Sequence, residues 1–195
     1  MSMLRKLYGR IKADSRRKIF KKKSLLGHDV VIGEKAICHS DKKDAIKIGD
    51  HSEIWATLVV QGNGRITVGP YSWIGSGTII GALTSIEIGS HAMISTEVHI
   101  YDNNNHPTDP RTRTKMCEQG FHGDAWQWYH SESAPIVIGN NVWIGERSTI
   151  LKGVSIGDGA IIAAASVVTH DVPAYSIAAG NPAHIVKKLP HPGVE

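Results

Sequence analysis

A strict six-residue period constrains this chain more than any other feature of its sequence. From residue 138 onward an aliphatic residue recurs at every sixth position, at Ile138, Ile144, Ile150, Ile156, Ile162 and Val168. Small or β-branched residues follow each of them four positions later, at Val142, Ser148, Val154, Ala160, Ser166 and Val172. A repeat of this length predicts short strands and tight corners stacked coil upon coil, which is a parallel β-helix.

The same period continues upstream with short insertions. Sets of three aliphatic residues occur at Ile48, Ile54 and Val60, at Val68, Ile74 and Ile80, and at Ile88, Ile94 and Ile100, and Ile32 is assigned to an earlier, degraded coil. Each aliphatic side chain is expected to point into a narrow triangular core, while Gly or Ala lets the corner turn. An ordinary β-sandwich would show period-two alternation and frequent hairpin signals, so the sequence disfavours it.

Positive charge is concentrated at the amino-terminal end. The net charge is +4, but residues 1–23 hold ten Lys or Arg and one acid, so they carry +9 and the remainder carries −5. Apolar residues in this segment recur at roughly helical spacing, at Leu4, Leu7, Tyr8, Ile11, Ile19 and Phe20. We expect a basic amphipathic helix that either contacts an anionic membrane or packs on its own body or a sister subunit. The acidic body disfavours nucleic acid as a partner.

Three further features bear on location. The longest apolar run, residues 160–165, is far too short to span a membrane. The basic start is not followed by the apolar stretch of a secretory signal. Cys38 and Cys117 form no CxxC motif and are interpreted as reduced thiols. We therefore expect a cytoplasmic protein, with a peripheral contact at the inner face of the membrane as a weaker expectation from the basic segment.

The repeat is suspended between Ile100 and Ile136, and a structureless insertion of this length in a compact repeat is usually functional. It opens with the sequence Tyr-Asp-Asn-Asn-Asn-His-Pro at residues 101–107, and it carries Trp126, Trp128 and Tyr129. Aromatic rings suit stacking on the apolar face of a sugar. The same rings could instead anchor the loop to a neighbouring subunit.

Three stretches, residues 133–145, 163–171 and 178–183, resemble the hexapeptide-repeat acyltransferases, the left-handed β-helix family. The resemblance covers roughly residues 28–189, and it is greatest to the sugar O-acetyltransferases of maltose, galactoside and capsular polysaccharide. It implies an all-β, left-handed parallel β-helix. It also implies transfer of acetyl from acetyl-CoA to a hydroxyl of a sugar or surface-polysaccharide precursor, in a homotrimer whose active sites lie between subunits.

The resemblance also assigns roles to residues of the insertion. His106, in the pair His106-Pro107, takes the place of the family's general base. Imidazole titrates near neutral pH, so it can accept the proton of a hydroxyl that attacks a thioester. Asn105, Trp126, Trp128 and Tyr129 are expected to contact the saccharide. If His106 were not the base, the candidates would be His99, His122 and His130.

A second set of residues is assigned to acetyl-CoA by the same resemblance. Trp143 matches a Trp beside the catalytic cleft, and a backbone N–H at the corner that Gly145 and Glu146 begin could face the thioester oxygen. Ala163 and Ala164 match small residues along the pantetheine arm. The positions near the nucleotide are matched by Thr169, His170, His184 and Lys187. His stands for the family's Lys at 170 and for its Arg at 184, which weakens attraction for phosphate at neutral pH.

The sequence thus divides into a basic N-terminal helical arm at residues 1–27, a β-helix domain at residues 28–181 with the inserted loop 101–135, and a short C-terminal helix and tail at residues 182–195. The pair Asn181-Pro182 is interpreted as the N-cap and first residue of that helix.

Two alternatives to sugar O-acetylation stay open. The first is an amino-sugar N-acetyltransferase or an antibiotic acetyltransferase of the same fold, which would use the same loop histidine. The second, less favoured, is a metalloenzyme like the γ-class carbonic anhydrases, which share the fold. No two histidines here are five residues apart, as two of the zinc ligands of that class are, so we expect no metal.

Overall fold

Short strands separated by corners stack into three parallel faces across residues 14–121 and 123–191, which the computed structural model describes. Face A contains β1 (Leu25–Leu26), β4 (Ile46–Ile48), β7 (Ile66–Val68), β10 (Ile86–Ile88), β13 (Ile136–Ile138) and β16 (Ser155–Ile156). Face B contains β2 (Val31–Ile32), β5 (Glu53–Ile54), β8 (Trp73–Ile74), β11 (Met93–Ile94), β14 (Trp143–Ile144), β17 (Ile161–Ile162), β19 (Ser176–Gly180) and β20 (Ala183–Lys188). Face C contains β3 (Ile37–His39), β6 (Thr57–Val60), β9 (Ile79–Ala82), β12 (His99–Tyr101), β15 (Thr149–Ile150) and β18 (Val167–Val168).

The core is the stack of aliphatic residues that the six-residue period predicts. On face B, Ile54, Ile74, Ile94, Ile144 and Ile162 pair in register from coil to coil, and all are fully buried. The small or β-branched residues four positions later are buried at the corners as well. Each coil therefore buries its inward side chains against the neighbouring coils, so a single coil would not be stable without the others.

The predicted ladder is wrong at one position, Val60. Leu58, not Val60, pairs with Ile80 on face C, and Val60 pairs with Ala82. The corner between Ile54 and β6 is two residues long, whereas the next coil uses four residues, so the inward position comes earlier in the sequence. One coil further toward the amino terminus, Cys38 takes the aliphatic position, six residues after Ile32.

An amino-terminal helix, α1 (residues 14–23), closes the first end of the β-helix. Its Phe20 is 1% exposed and belongs to the core, and Arg17 Nε donates a hydrogen bond of 2.7 Å to the Ile32 carbonyl. The first coil begins at Leu25, so the β-helix includes residues 25–27, which the sequence assigned to the arm. The rest of the predicted amphipathic helix, residues 1–13, lies outside the described residues. No helix in the described part of the chain is long and apolar enough to cross a membrane.

The insertion leaves the β-helix after Tyr101 and rejoins it at Ile136. It is not structureless, since it contains α2 (Pro110–Glu118) and two 3₁₀ turns, Asp124–Trp126 and Trp128–His130. Asp109 caps α2, because its side chain accepts a hydrogen bond of 3.0 Å from the Thr112 N–H. The two ends of the insertion pair with each other through an antiparallel bridge between Asn103 and Ser133.

The predicted C-terminal helix is a strand. β20 runs antiparallel to β19 and extends face B. A short helix here would have left the edge backbone of β19 without hydrogen-bond partners, whereas a hairpin satisfies those groups and covers the edge. Ile185 and Val186 are β-branched and favour the strand.

Candidate active site

A buried carboxylate anchors the base of the insertion. The side chain of Asp102 is fully buried, directly after β12. Its Oδ1 accepts a hydrogen bond of 2.8 Å from the Leu83 N–H, and its Oδ2 accepts one of 2.7 Å from the Thr84 N–H. These charge-assisted bonds join the start of the insertion to the corner of the preceding coil. The Asp102 carbonyl also accepts from the Ala134 N–H at 2.8 Å, which ties in the other end of the insertion.

The three asparagines after Asp102 form a tight turn that leads to the histidine. Asn103 Nδ2 donates to Asp102 Oδ1 at 3.0 Å, and Asn103 Oδ1 accepts from the Asn105 N–H at 2.9 Å. Asn105 adopts a left-handed conformation with φ of 60°, which Asn tolerates better than most residues. The His106 N–H donates to the Asn104 carbonyl at 2.7 Å. The backbone of His106 is thus fixed, through Asn103, to the buried carboxylate.

The imidazole of His106 is exposed and lies against Trp126. The two rings meet edge to face, with centroids 5.3 Å apart and an interplanar angle of 82°. Trp126 is held in turn by α2, because its indole N–H donates to the Met116 carbonyl at 3.1 Å. The Phe121 ring also contacts Trp126, with centroids 5.1 Å apart. Within residues 14–121 and 123–191, no carboxylate contacts the His106 ring.

A groove of about 340 Å³ runs along face C beside this turn. It combines amide and imidazole groups with apolar surface from β12 and β15, and its lining residues are His99, Tyr101, Asn103, Asn104, Asn105, Thr149, Ile150 and Leu151. His106 directly follows Asn105, the last of these asparagines, and its ring contacts Trp126. The mixture of polar groups and apolar wall suits an acceptor with several hydroxyl or amide groups.

Trp128 anchors the insertion to the β-helix. Its backbone N–H donates to Gln61 Oε1 at 3.0 Å, and its ring packs edge to face against Tyr101 at 5.8 Å. Gly81 lies beneath the two rings, where an added Cβ would come within 2.5 Å of Tyr101 and 2.9 Å of Trp128. Burial raises the pKa of the Tyr101 hydroxyl. One alternative from the sequence was that aromatic rings anchor the loop to a neighbouring subunit. Trp128 does anchor the loop, but to face C of its own chain.

Tyr129 and His130 form a separate exposed cluster with Asp124. The Tyr129 hydroxyl donates to Asp124, and His130 Nε2 lies 3.2 Å from Asp124 Oδ2. These two contacts hold the pKa of the Asp124 carboxyl below its usual range, and the hydrogen bond from Tyr129 has the larger effect. Hydrogen bonding to that carboxylate raises the pKa of the Tyr129 hydroxyl. Among the described histidines of the insertion, His130 is the one paired with a carboxylate, which makes it the second candidate base. His122 lies outside the described residues.

The residues assigned to acetyl-CoA lie on another side of the prism. Trp143 is 49% exposed on face B, and Glu146 is exposed at the corner between faces B and C. Gly145 has to be a glycine, since an added Cβ would come within 2.5 Å of the Ala164 backbone nitrogen on the next coil. Ala163 and Ala164 thus stack directly on Gly145, which is buried beneath this contact.

The four outermost assigned residues are divided between two places. His184 and Lys187 lie on β20, at the end of face B beyond Ala163. Thr169 and His170 follow β18 at the corner between faces C and A, and Thr169 Oγ1 lies 2.8 Å from His170 Nδ1. The insertion with His106 leaves the β-helix at that same kind of corner, between faces C and A. Within one chain, the structure therefore keeps His106 and Trp143 on different sides of the prism.

Two residues that position the site were not found by sequence reasoning. Asp102 is the first residue of the insertion, and Gln61 contacts the insertion from face C. Neither residue belongs to a recognisable sequence motif. The signal for Asp102 was weak but present, because it stands two positions after the ladder residue Ile100. Side chains alternate along a strand, so this acidic side chain also turns inward and must be satisfied there.

A three-faced β-helix of hexapeptide coils, with an inserted loop that presents a histidine beside a groove, defines a transferase of the hexapeptide-repeat class. Residues 135–170 match the family described as bacterial transferase hexapeptide (six repeats). Over 142 residues the chain is 30% identical to the putative colanic acid biosynthesis acetyltransferase WcaF of Escherichia coli K12, which covers 73% of this chain and 69% of that protein. The chain belongs to this family, and it is an acyltransferase.

Solved structures show the same fold. The polySia-specific acetyltransferase NeuO is 26% identical, with a TM-score of 0.64 over 85% of this chain and 81% of that chain. AntD, an N-acyltransferase from Bacillus cereus in complex with dTDP and 3-hydroxybutyryl-CoA, is 23% identical, with a TM-score of 0.70 over 91% of this chain and 88% of that chain. The left-handed β-helix that the sequence predicted agrees with these folds.

Proposed function

We propose that this protein transfers an acetyl group from acetyl-CoA to a hydroxyl group of a saccharide, with His106 as general base. The observation that supports the proposal is the turn that carries His106: its asparagines line the face C groove, and Asn103 ties it to the buried Asp102 carboxylate. A base must lie within hydrogen-bond reach of the proton it removes, so a rigid turn at the edge of a concave surface meets the first requirement.

The reaction needs two proton transfers and one exchange of bonds at the thioester. His106 accepts the proton of the acceptor hydroxyl while the oxygen attacks the carbonyl carbon. The new C–O bond forms, the C–S bond breaks, and the departing thiolate takes up the proton that His106 had accepted. A backbone N–H at the corner of Gly145 and Glu146 would stabilise the developing oxyanion.

Acetyl-CoA is the donor that best fits the second set of residues. Ala163 and Ala164 have no large side chain that would block a pantetheine arm, and Trp143 supplies an exposed ring on the preceding coil. Lys187, on β20 with His184, supplies positive charge at the end of face B beyond Ala163. The assignment of Thr169 and His170, at the corner between faces C and A, stays a prediction. The AntD complex holds an acyl-CoA on the same fold, which supports this choice.

The separation of His106 from Trp143 favours a homotrimer with the active site between subunits. If both groups serve one reaction, they have to come from neighbouring chains. Face B also exposes a row of apolar side chains on consecutive coils, Trp73, Met93 and Trp143, which are 39%, 51% and 49% exposed. An apolar row of this kind is typical of a subunit interface.

The acceptor is proposed to be a saccharide because of the groove and the relatives. Amide groups of three asparagines line the groove, and the insertion also carries the half-buried Trp126 ring, against His106, and the exposed Tyr129 ring. WcaF and NeuO are named for polysaccharide acetylation, whereas AntD is named for N-acylation. An amino sugar is therefore the second candidate acceptor.

We also propose that the enzyme works in the cytoplasm and contacts an anionic membrane through residues 1–23. In the described part of this segment Lys18, Lys21 and Lys22 are exposed, and Ile19 is 51% exposed among them. An apolar side chain surrounded by lysines suits an anionic lipid surface. Both cysteines are free, in keeping with a reducing compartment.

The test is an acceptor panel with wild type and a His106→Asn variant. Release of the CoA thiol is measured with neutral sugars, amino sugars and oligosaccharides of surface polysaccharides. Asn keeps the size of the side chain but cannot accept the proton, so we expect kcat to fall by about 10²–10⁴-fold while acetyl-CoA binding changes little.

The matched control is His130→Asn, which removes the other candidate base. We expect this variant to keep most of its activity. A folded His106→Asn variant with near-normal kcat, together with an inactive His130→Asn variant, would transfer the role to His130 and Asp124. Turnover of amino sugars alone would replace the O-acetylation proposal with N-acetylation.

A further inference from the structure

Two histidines and an aspartate meet at the amino-terminal end of the β-helix, away from the insertion. His28 Nδ1 lies 3.0 Å from Asp29 Oδ2, and His51 Nδ1 lies 3.7 Å from the same oxygen. The three donor atoms all lie within 4.8 Å of one another. They occupy the corner between faces A and B on the first and second coils, so the cluster joins two successive turns of the solenoid.

The spacing of these donors is close to that of a metal site. Zn²⁺ binds imidazole nitrogen and carboxylate oxygen at about 2.0–2.2 Å, and tetrahedral geometry then sets neighbouring ligand atoms about 3.3–3.5 Å apart. The two distances in the cluster fall on either side of that value. The two histidine donors lie within 4.8 Å of each other, and movement of these exposed side chains would bring all three donors to one ion.

The backbone beneath the donors is fixed. Asp29 and His51 both adopt the left-handed conformation, with φ of 51° and 56°, at equivalent positions of successive corners. The His51 N–H donates to the His28 carbonyl at 2.8 Å, and the His28 N–H donates to Asp50 Oδ1 at 2.7 Å. Because the corners are held in register, binding an ion would order few additional groups.

The plane of one imidazole is also fixed. The His51 ring stacks on Tyr71 of the third coil, with centroids 4.9 Å apart and an interplanar angle of 21°. Neighbouring groups that orient a metal-binding histidine raise its affinity for the ion. The opposite side of the cluster is open to solvent, since His28 and Asp29 are exposed, so water can complete the coordination.

We propose that His28, Asp29 and His51 form a binding site for a divalent transition-metal ion of the Zn²⁺ type. Two imidazoles and one carboxylate suit Zn²⁺, Ni²⁺ or Cu²⁺, whereas Ca²⁺ and Mg²⁺ prefer sites made of oxygen. The ion would link the first coil to the second, at the end of the solenoid where the first coil has a neighbour on only one side. The site is independent of the acyl-transfer chemistry and does not depend on its assignment.

The experiment is a titration of the full chain, without a polyhistidine tag and freed of metal by EDTA, with Zn²⁺ alone. Calorimetry and competition with a chromophoric chelator give affinity and stoichiometry. We expect about one ion per chain and a rise in Tm of at least about 3 °C under saturating Zn²⁺. Asp29→Asn and His51→Asn should each weaken binding at least about tenfold, and Asn tolerates the left-handed backbone at both positions.

The matched control is His91→Asn. His91 occupies the same corner position two coils beyond His51, with φ of 57°, and stacks on the other face of Tyr71 at 5.3 Å. This variant should bind Zn²⁺ as wild type does. Equal Zn²⁺ affinity in wild type, Asp29→Asn and His51→Asn would overturn the proposal, and so would an equal loss in His91→Asn. Melting in EDTA shows whether each variant is folded, independently of metal.

Discussion

At the scale of single residues, Asp102 decides where the insertion begins. Its carboxylate accepts three hydrogen bonds, two of them from backbone N–H groups of the preceding coil. A buried carboxylate is costly unless it is satisfied in this way, so the site holds the charge only in one arrangement of the chain. That arrangement also fixes Asn103, and through it the turn that carries His106.

Replacement of Asp102 by Asn tests this role. One oxygen becomes an NH₂ group that faces a backbone N–H, so one corner hydrogen bond is lost and a donor is left unpaired. We expect the free energy of unfolding to fall by about 2–4 kcal/mol and kcat to fall more than tenfold. Chemical denaturation and steady-state kinetics measure the two effects.

Asp109→Asn is the control for that variant, because Asn caps a helix as well as Asp does. It should leave both stability and kcat close to wild type. If Asp102→Asn lost stability but kept full kcat, Asp102 would support the fold without positioning His106.

At the scale of secondary-structure elements, the insertion depends on its packing against face C. The rings of Tyr101 and Trp128 cover Gly81, and Gln61 Oε1 accepts a hydrogen bond from the Trp128 N–H. These contacts join the insertion to coils that precede it in the sequence. The insertion is therefore built on a rigid surface even though most of its residues are exposed.

Gly81→Ala should displace the insertion without dissolving the β-helix. The added methyl group would overlap the rings of Tyr101 and Trp128, and both rings would have to move. We expect kcat to fall several-fold to about 100-fold with a smaller change in Tm, since a displacement of about 1 Å near a reacting group can have that effect. Gly123→Ala is the matched control, because an added Cβ there meets nothing closer than 3.6 Å. Equal activity of the two variants would contradict the anchoring role of Trp128.

The ladder can be tested on one strand with two adjacent residues. On β13, Ile138 is 1% exposed and Val137 is 44% exposed, so the two side chains point to opposite sides of face A. Ile138→Asp would place an unpaired charge in the core and should cost several kcal/mol, comparable with the whole stability of a domain. Val137→Asp, on the outer side, should change Tm by only a few degrees. Similar melting curves for the two variants would show that the register of β13 is wrong.

At the scale of the whole molecule, the proposed active site depends on the proposed homotrimer. His106 and Trp143 lie on different sides of one prism, so a reaction that uses both would need a neighbouring copy.

The amino-terminal end of the β-helix is closed by α1, whose Phe20 is part of the hydrophobic core. A test of membrane contact therefore has to leave Phe20 in place and change only the exposed lysines of α1.

Mixing two inactive variants tests the shared active site. Chains with His106→Asn and chains with Trp143→Ala are each expected to lose activity, one in the base and the other in donor binding. Random mixed trimers would contain intact sites between unlike neighbours, so we expect about a quarter of wild-type activity to return after co-refolding in equal amounts. The trimer itself is checked by light scattering. No recovery from a confirmed mixed trimer would place the whole site within one chain.

The sequence by itself determined the β-helix, because the hexad is a local rule. Ile144 is buried on account of its own position in the period, and the same rule predicts Ile138, Ile150 and their counterparts on every later coil. The rule was wrong at Val60, where a corner two residues shorter moves Leu58 into the ladder. Local helix-capping signals were likewise wrong at Asn181-Pro182, because the open edge of β19 required a strand.

Tertiary structure alone decided the arrangement around His106. The sequence selected the histidine through its resemblance to a family, but the Trp126 ring beside it, the buried carboxylate of Asp102 and the Gln61 contact 67 residues from Trp128 are visible only after folding. The same is true of His28 and His51, which are 23 residues apart in the chain and become neighbours because successive coils stack. The physical reason is that a period specifies which side chains face inward, whereas the length of each corner determines which outward side chains meet.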